Sequence, residues 1–395
     1  MEQLIDISKK RVKKTPDSFK RFLIDKINTS QRLIGIKGAR GVGKTTLLLQ
    51  ILKKIPSDKS LYVSLDNLYF VTNTLFDLAN KFIQKGGEYL YLDEVHKYKN
   101  WSQELKNIYD SFPELKIVFT SSSALEINKA EFDLSRRALI FNLPGLSYRE
   151  YLELKHKIKI NKIDLEDIIN KTDEKIDYIL DKVKPFKYFE DYLKSGYYPY
   201  FIEDEEFYYQ RLETTIKIVI ETDLPTIYRM DYSSIIKLKK LLMLIGGVSP
   251  YIPNITKLSE QVETTRDSLL RFLHLLHKAH ILRWLSSDTM GINFMNKPDK
   301  LYLENTNIAY ALKNDRVDIG TIRETFFLNQ LSVNHSVSYP KKADFFIDNK
   351  YTFEIGGKNK SKKQIKNIEN SFIVKDNIEY GNDNILPLWL FGFLY

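Results

Sequence analysis

The sequence predicts an α/β protein that begins with a parallel sheet flanked by helices, continues as a mainly helical segment and ends in a second α/β region. Short apolar runs of strand type alternate with helix-forming runs through the first 150 residues, a pattern typical of parallel sheets. A glycine cluster separates the first of these strands from the first helix. From about residue 151 glycine becomes rare and helical periodicity dominates.

The glycine cluster lies in the stretch GIKGARGVGKTTLLLQILKK, from residue 35 to residue 54. Gly38, Gly43, Lys44 and Thr45 fit the pattern G-x-x-x-x-G-K-[ST] with no position out of place. The apolar run RLIGI precedes the cluster and the helix-forming run TTLLLQILKKI follows it. This strand–loop–helix context predicts a phosphate-binding loop. The alternative interpretation is a glycine-rich turn that binds nothing.

The chemistry of phosphate binding accounts for this spacing. Glycines let the backbone approach an anion closely, and the start of the following helix adds its partial positive charge. We expect Lys44 to reach the β- and γ-phosphates of ATP and the Thr45 hydroxyl to ligate Mg²⁺. The residues expected to contact the nucleotide are Gly38, Ala39, Arg40, Gly41, Val42, Gly43, Lys44, Thr45 and Thr46.

Length and composition limit the number of domains and the class of protein. A chain of 395 residues has room for two or three domains, and 43% hydrophobic with 28% charged residues is ordinary for a folded protein. The absence of cysteine excludes disulfides, thiol catalysis and cysteine-ligated zinc, and we expect a cytoplasmic protein. The net charge of +9 fits a polyanionic partner, but it also fits a background composition rich in lysine.

Membrane insertion is not expected. The N-terminal stretch MEQLIDISKKRVKK carries charges where a signal peptide has an apolar core. The most apolar stretch, ILPLWLFGFLY, has about half the length that spans a bilayer.

Adjacent carboxylates follow a second strand-like run, in EYLYLDEVHKYKNW at residues 88 to 101. About 50 residues after a phosphate-binding loop, such a pair predicts a magnesium ligand, Asp93, and a catalytic residue that activates water, Glu94. His96 completes the string D-E-x-H of certain helicases, but the strand–loop–helix pattern of a second motor domain is missing. We therefore interpret His96 as a polar loop residue near the nucleotide.

Two further residues have open interpretations. Ser122, at the end of the strand-like run LKIVFTS, either senses the γ-phosphate or caps a helix. Arg137 precedes a fifth strand, Ala138 to Leu143, and is either a catalytic arginine or an ordinary surface residue.

The motifs GARGVGKTT, YLDEVH, TSSSAL and DLSRRALIFNLPGLSYREYL, in this order, resemble the bacterial and archaeal AAA-type ATPases whose uncharacterised C-terminal region is related to restriction-type nucleases. The likeness extends through YLKSGYYPYFIED to DFFIDNKYTFEIGGKNK. It implies an AAA-type P-loop domain over residues 1–150, a helical subdomain over 151–235, a winged helix over 236–300 and a degenerate nuclease-like domain over 301–395. It also places Arg137 at the family's arginine position.

The stretch from Ile255 to Leu285, in the region of the implied winged helix, predicts a helix, a tight turn, a second helix and a strand. Its second helix offers Thr264, Thr265, Arg266, Ser268 and Arg271 as a DNA-facing surface, although such modules also dock proteins. His274, His277 and His280 are expected to be structural rather than metal ligands.

The C-terminal region predicts a hairpin with its turn at 348–350, after a helix that carries Glu324. Asp344 and Glu354 lie one on each strand, where restriction-type nucleases hold magnesium. Gly356 stands where those enzymes have lysine, and the nearest amines belong to Lys358 and Lys360.

These observations lead to one main hypothesis, an ATP-hydrolysing AAA-type switch that uses ATP and Mg²⁺ and acts on DNA or a protein partner. The alternative is a metal-dependent DNA nuclease gated by ATP. A third possibility is a scaffold that binds ATP and hydrolyses it negligibly. We expect weak DNA binding and no membrane association, and a homo-oligomer is left open.

Overall fold

The structure is a computed structural model that describes residues 1–121, 134, 136–171, 173–287, 297–313, 317–340, 342–361 and 365–395. The chain forms two compact units, Met1–Gly145 and Leu146–Tyr395. The finer division of the second unit given above stays a prediction. Among the helices that the structure describes, none is long and apolar enough to cross a membrane.

The first unit is a five-stranded parallel sheet with helices on its faces, as the sequence predicts. Its helices are α1 (Glu2–Lys14), α2 (Lys44–Leu52), α3 (Leu75–Gln84) and α4 (Trp101–Ser111). Its strands are β1 (Leu33–Lys37), β2 (Ser60–Ser64), β3 (Tyr89–Asp93), β4 (Lys116–Ser121) and β5 (Leu139–Asn142), in the order β2-β3-β4-β1-β5. All four pairings are parallel, so the carboxyl ends of the strands meet at one edge of the sheet.

Burial on both faces explains why these strands read as continuous apolar runs. The central residues of β1 to β4 are almost fully buried, and α3 and α4 pack on the sheet through Leu78, Phe82, Leu105 and Ile108. The strand order puts β4 between β3 and β1, and thereby places the ends of β1, β3 and β4 side by side at the edge that carries the glycine cluster.

The second unit combines helices with two small sheets. Its helices are α5 (Tyr148–His156), α6 (Leu165–Ile169), α7 (Asp173–Lys182), α8 (Phe186–Ser195), α9 (Tyr208–Ile218), α10 (Leu224–Tyr228), α11 (Tyr232–Val248), α12 (Ile255–Val262), α13 (Arg266–Lys278), α14 (Thr306–Lys313) and α15 (Ile319–Leu331). A π-helical turn, Val219–Asp223, joins α9 to α10. Tyrosines of this region pack together, since Tyr148, Tyr151 and Tyr192 are buried and their rings contact one another.

The strands of the second unit are β6 (Leu282–Leu285), β7 (Lys300–Leu303), β8 (Val337–Ser338), β9 (Phe345–Ile347), β10 (Tyr351–Gly356), β11 (Ser371–Lys375) and β12 (Ile385–Pro387). Strands β6 and β7 form an antiparallel pair, and β12-β11-β10-β9-β8 form a mixed sheet. The predicted hairpin is confirmed, because β9 and β10 are antiparallel and Asp348 and Asn349 both have positive φ in the turn between them. The apolar C-terminal stretch is buried in this unit, in the 3₁₀ helix Leu388–Phe393.

Candidate functional site

The glycine cluster forms the loop between β1 and α2. Gly41 and Gly43 have φ values of 86° and 94°, a region that side-chain-bearing residues rarely adopt. A Cβ atom at Gly38 would lie 2.3 Å from the carbonyl oxygen of Leu143, so only glycine fits there. Since glycine has no side chain, Gly43 leaves the first-turn N–H groups of α2 without a side-chain cap, and an anion can accept their hydrogen bonds.

Lys44 is held inside this loop. Its side chain is buried, and Nζ donates hydrogen bonds to the carbonyl oxygens of Gly38 and Ala39 at 3.0 and 2.9 Å. The ammonium group is therefore fixed beside the loop amides, where its charge complements a phosphate.

The Asp93 carboxylate, at the end of β3, is 2% exposed and lies beside Thr45. Thr45 Oγ1 donates to Asp93 Oδ2 at 2.8 Å, and the Thr120 hydroxyl at the end of β4 donates to Oδ1. A hydroxyl and a carboxylate are the hard oxygen ligands that Mg²⁺ prefers, so these residues fit a magnesium site next to the phosphate-binding loop.

Glu94 follows Asp93 with a positive φ of 53°, and its side chain contacts that of His96. His96 Nε2 lies 3.2 Å from Glu94 Oε2, and the His96 side chain is 3% exposed. Ser121 Oγ lies 3.4 Å from His96 Nδ1. The ring of His96 is therefore buried against Glu94, and its interpretation as a polar loop residue near the nucleotide stays a prediction.

The strand-end hydroxyls were predicted only in part. Thr120 and Ser121 reach the site, and Thr120 Oγ1 also accepts a hydrogen bond from the backbone N–H of Glu94 at 3.1 Å. Ser122, the preferred candidate, lies outside the described residues, and its role stays a prediction.

Arg137 lies near the amino ends of the strands, whereas the phosphate-binding loop lies at their carboxyl ends. It precedes β5, whose pairing with β1 begins at Ile34 and Leu139, whereas the phosphate-binding loop follows the far end of β1. Arg137 Nε donates to Asp110 Oδ1 at 2.9 Å, and this hydrogen bond lowers the pKa of Asp110. Strand β5 therefore lies between Arg137 and the end of the sheet that carries the loop.

The N-terminal segment contributes contacts that the sequence motifs do not reveal. Arg21 is buried and donates to the carbonyl oxygen of Val42 in the phosphate-binding loop at 2.7 Å. It also donates to the carbonyl oxygens of Pro144 and Gly145, at 2.7 and 2.8 Å. Arg21 thus ties the loop to the end of β5.

The predicted DNA-facing helix is α13. Its apolar side is buried, with Leu269, Leu270 and Leu273, and so are Leu258 and Val262 of the preceding helix. Arg266 and Arg271 are exposed. The Thr265 hydroxyl instead accepts from the N–H of Ser268 at 3.2 Å and caps the helix.

The three histidines that follow, His274, His277 and His280, are half-buried. Burial and the nearby Arg283 charge lower the pKa of His277 to about 3. Arg283 forms an ion pair with the buried Glu304, and burial opposes but does not cancel its effect, so the pKa of Glu304 is lowered to about 2. Within the described residues, no group of three or more His, Cys, Asp or Glu side chains is arranged to hold a metal ion.

The C-terminal carboxylates lie next to two lysines. Lys300 Nζ lies 2.7 Å from Glu324 Oε2 and 3.6 Å from Asp344 Oδ1. Lys360 Nζ lies 2.6 Å from Glu354 Oε1, so the lysine after the Gly-Gly kink folds back over the strand. Burial, together with the neighbouring carboxylate charge of Asp344, raises the pKa of both Glu324 and Glu354.

Gly356 accommodates this folded-back lysine. A Cβ atom at Gly356 would lie 2.6 Å from Cβ and Cγ of Lys360, so a side chain there would displace Lys360. The second oxygen of Glu354, Oε2, is buried and has no hydrogen-bond partner among the described residues.

The five-stranded parallel sheet and the loop between β1 and α2 define a P-loop protein of the AAA type. Residues 30–152 match the family model described as AAA domain. The uncharacterized protein MJ1637 of Methanocaldococcus jannaschii is 30% identical to this chain over 406 residues, which cover 93% of this chain and 85% of the relative. The chain therefore belongs to the same family as this archaeal protein, an AAA-type P-loop ATPase family.

Other similarities are more distant. The uncharacterized protein MJ1544 of the same archaeon is 23% identical over 345 residues, covering 84% of this chain and 73% of that protein. The structure of C. elegans PCH-2 matches 42% of this chain and 48% of its own with a TM-score of 0.26 at 20% identity. A katanin self-assembly structure matches 42% of this chain and 60% of its own with a TM-score of 0.25 at 14% identity. TM-scores this low carry no argument about fold or function.

Proposed function

We propose that the first unit binds ATP with Mg²⁺ and hydrolyses it, and that the second unit passes the resulting change to DNA or to a protein partner. The observation that carries this proposal is the 2.8 Å hydrogen bond between Thr45 Oγ1 and Asp93 Oδ2 beside the loop that holds Lys44. Family membership supports ATPase activity at the level of the family.

Each residue of the site has a separate task in this proposal. Lys44 neutralises charge on the β- and γ-phosphates, and the amides at the start of α2 bind their oxygens. Thr45 and Asp93 hold magnesium, which when bound offsets negative charge on the phosphate oxygens. Glu94 orients the attacking water and accepts its proton as the bond from the water oxygen to the γ-phosphorus forms and the bond from that phosphorus to the ADP oxygen breaks.

Arg137 is assigned to a neighbouring subunit's site. Arg137 precedes β5, away from the end of β1 that carries the loop, and we propose that a second copy brings it to the phosphates. This part of the proposal therefore implies a homo-oligomer.

The partner is proposed from exposed charge in the second unit. Arg266 and Arg271 are exposed on α13, and the lysines after β10 add positive charge, so they can neutralise phosphates of DNA in a salt-dependent way. Because Thr265 caps the helix, fewer polar groups remain for reading bases, and we propose weak binding with little sequence preference.

A second candidate function is metal-dependent cleavage of DNA. The 2.6 Å contact between Lys360 and Glu354 favours it, since this lysine brings a cation to the carboxylates despite Gly356. The buried, unpartnered Glu354 Oε2 is a further available metal ligand. Against it, the described residues contain no group of three ligands arranged for a metal.

Magnesium-dependent ATP turnover, measured with and without DNA, tests the main proposal. Stimulation by DNA supports a DNA-linked switch, and turnover that DNA leaves unchanged supports a protein partner. Tight ATP binding with negligible turnover would favour the scaffold instead.

A plasmid-nicking assay with Mg²⁺ or Mn²⁺ tests the second candidate. We expect no cleavage by the natural protein. Cleavage that is abolished by Asp344→Ala and by Lys360→Met would establish the nuclease, with Lys358→Met as the control for loss of a neighbouring lysine.

A further inference from the structure

We propose that Tyr62 positions the Asp93 carboxylate, and that Arg11 of α1 holds Tyr62 for this task, so that the N-terminal helix helps to set the geometry of the magnesium site. This inference rests on the proposed role of Asp93 as a magnesium ligand. Neither Tyr62 nor Arg11 belongs to the phosphate-binding loop or to the Asp-Glu pair.

The first step is the contact between Tyr62 and Asp93. Tyr62 lies on β2, the neighbour of β3 in the sheet, and its hydroxyl donates to Asp93 Oδ2 at 2.8 Å. Oδ2 therefore accepts from both Tyr62 and Thr45, while Oδ1 accepts from Thr120. Tyr62 is the member of this set that no nucleotide-binding motif predicts.

The second step is the contact between Arg11 and Tyr62. Arg11 Nη1 donates to the Tyr62 hydroxyl oxygen at 2.7 Å, and the guanidinium carbon lies 5.4 Å from the ring centroid. Arginine has donors and no acceptor, so the phenol proton cannot point at Arg11. The two hydrogen bonds therefore run in one direction: Arg11 donates to Tyr62, and Tyr62 donates to Asp93.

The third step is the anchoring of α1. The hydroxyl of Ser8, one turn before Arg11, accepts from the backbone N–H of Tyr62 at 2.9 Å, and Ser8 and Tyr62 are both buried. A movement of α1 relative to β2 therefore moves the groups that hold the Tyr62 hydroxyl.

The fourth step is the effect on the carboxylate. Tyr62 and Asp93 are both buried, so little water competes for the hydrogen bond between them. A hydrogen bond to a charged group in a buried setting is stronger and more directional than one in water. Without this donor, Asp93 loses one of the contacts that fix the plane of its carboxylate.

Tyr62→Phe tests the proposal, with Tyr91→Phe as a matched control. Tyr91 lies on β3, it is buried, and its hydroxyl has no hydrogen-bond partner among the described residues. Both substitutions remove one buried hydroxyl from neighbouring strands of the same sheet. We expect Tyr62→Phe to raise the Mg²⁺ concentration for half-maximal turnover about tenfold, the lower end for residues that orient a metal ligand. Tyr91→Phe should leave it unchanged.

A binding measurement provides a readout independent of turnover. In calorimetry, Tyr62→Phe should weaken ATP binding in the presence of Mg²⁺ and leave binding in EDTA unchanged. Arg11→Met should also raise the Mg²⁺ concentration for half-maximal turnover, by a smaller factor. Arg11→Lys, which keeps a donor, should raise it less than Arg11→Met does.

Equal Mg²⁺ dependence of Tyr62→Phe and Tyr91→Phe in both assays would overturn the inference, even if Tyr62→Phe lowered the melting temperature, because Tyr62 would then be only structural. Failure of the proposed function would give a different result from failure of this inference. If the proposed function is wrong, Lys44→Ala and Asp93→Ala would bind MgATP as the natural protein does.

Discussion

His96 Nε2 lies 3.2 Å from Glu94 Oε2, and the imidazole is almost completely buried beside the residue proposed to activate water. Ser121, at the end of β4, lies 3.4 Å from the other ring nitrogen. The histidine thus links the end of β4 to Glu94. A hydrogen bond of this kind fixes the orientation of a carboxylate, which matters when that carboxylate must face one particular water molecule.

We predict that His96→Ala lowers kcat about tenfold and leaves KM for ATP unchanged, because Glu94 loses a positioning contact while the phosphate-binding loop is untouched. His156→Ala, a histidine substitution in the second unit, is the control. Steady-state kinetics distinguishes the outcomes. A rise in kcat would mean that His96 holds Glu94 away from the water and restrains the reaction.

Lys44→Ala should abolish tight ATP binding, because it removes the ammonium group fixed beside the loop amides by Gly38 and Ala39. Lys54→Ala removes the same charge from an exposed position just after α2 and should bind ATP normally. Calorimetry checks both variants. Unchanged affinity of Lys44→Ala would show that the loop does not bind phosphates as proposed.

The stability of the second unit should fall as the pH drops below about 6.5. The pKa of His277 is about 3 in the folded protein, whereas the unfolded chain has the ordinary value of 6.5. Between these values the unfolded state binds a proton that the folded state does not, so acid favours unfolding. The slope from this group is about 1.4 kcal/mol per pH unit.

Urea denaturation at pH 7, 6 and 5 measures this slope. His277→Gln should reduce the loss of stability over this range, and His335→Gln, a substitution at a histidine paired with Asp348, is the control. A slope that is the same in His277→Gln and in the natural protein would contradict the assignment. Glu304 adds its own contribution only at lower pH, since its pKa is lowered from 4.5 to about 2.

Local sequence patterns predict much of the first unit, because each β-strand and the phosphate-binding loop depend on residues close together in the chain. The order of the strands does not follow from such patterns. It decides that Tyr62 of β2 reaches Asp93, a relationship with no signal in residue spacing. The position of Arg137 away from the loop follows instead from its place directly before a parallel strand.

In the second unit, the contact made by Lys360 is likewise not predictable from residue spacing. The sequence shows a lysine four residues after Gly356 but not that the kink returns it to Glu354. The string D-E-x-H places His96 next to the Asp-Glu pair, but residue spacing does not show that its ring is buried against Glu94.

The most direct test of the central claim is ATP turnover by Glu94→Gln compared with the natural protein, at saturating Mg²⁺ and ATP. Glutamine keeps the size of the side chain and cannot accept the proton of the attacking water, so we predict unchanged ATP affinity and a loss of at least about a hundredfold in turnover. Turnover that survives this substitution would contradict the account, because another group would then activate the water.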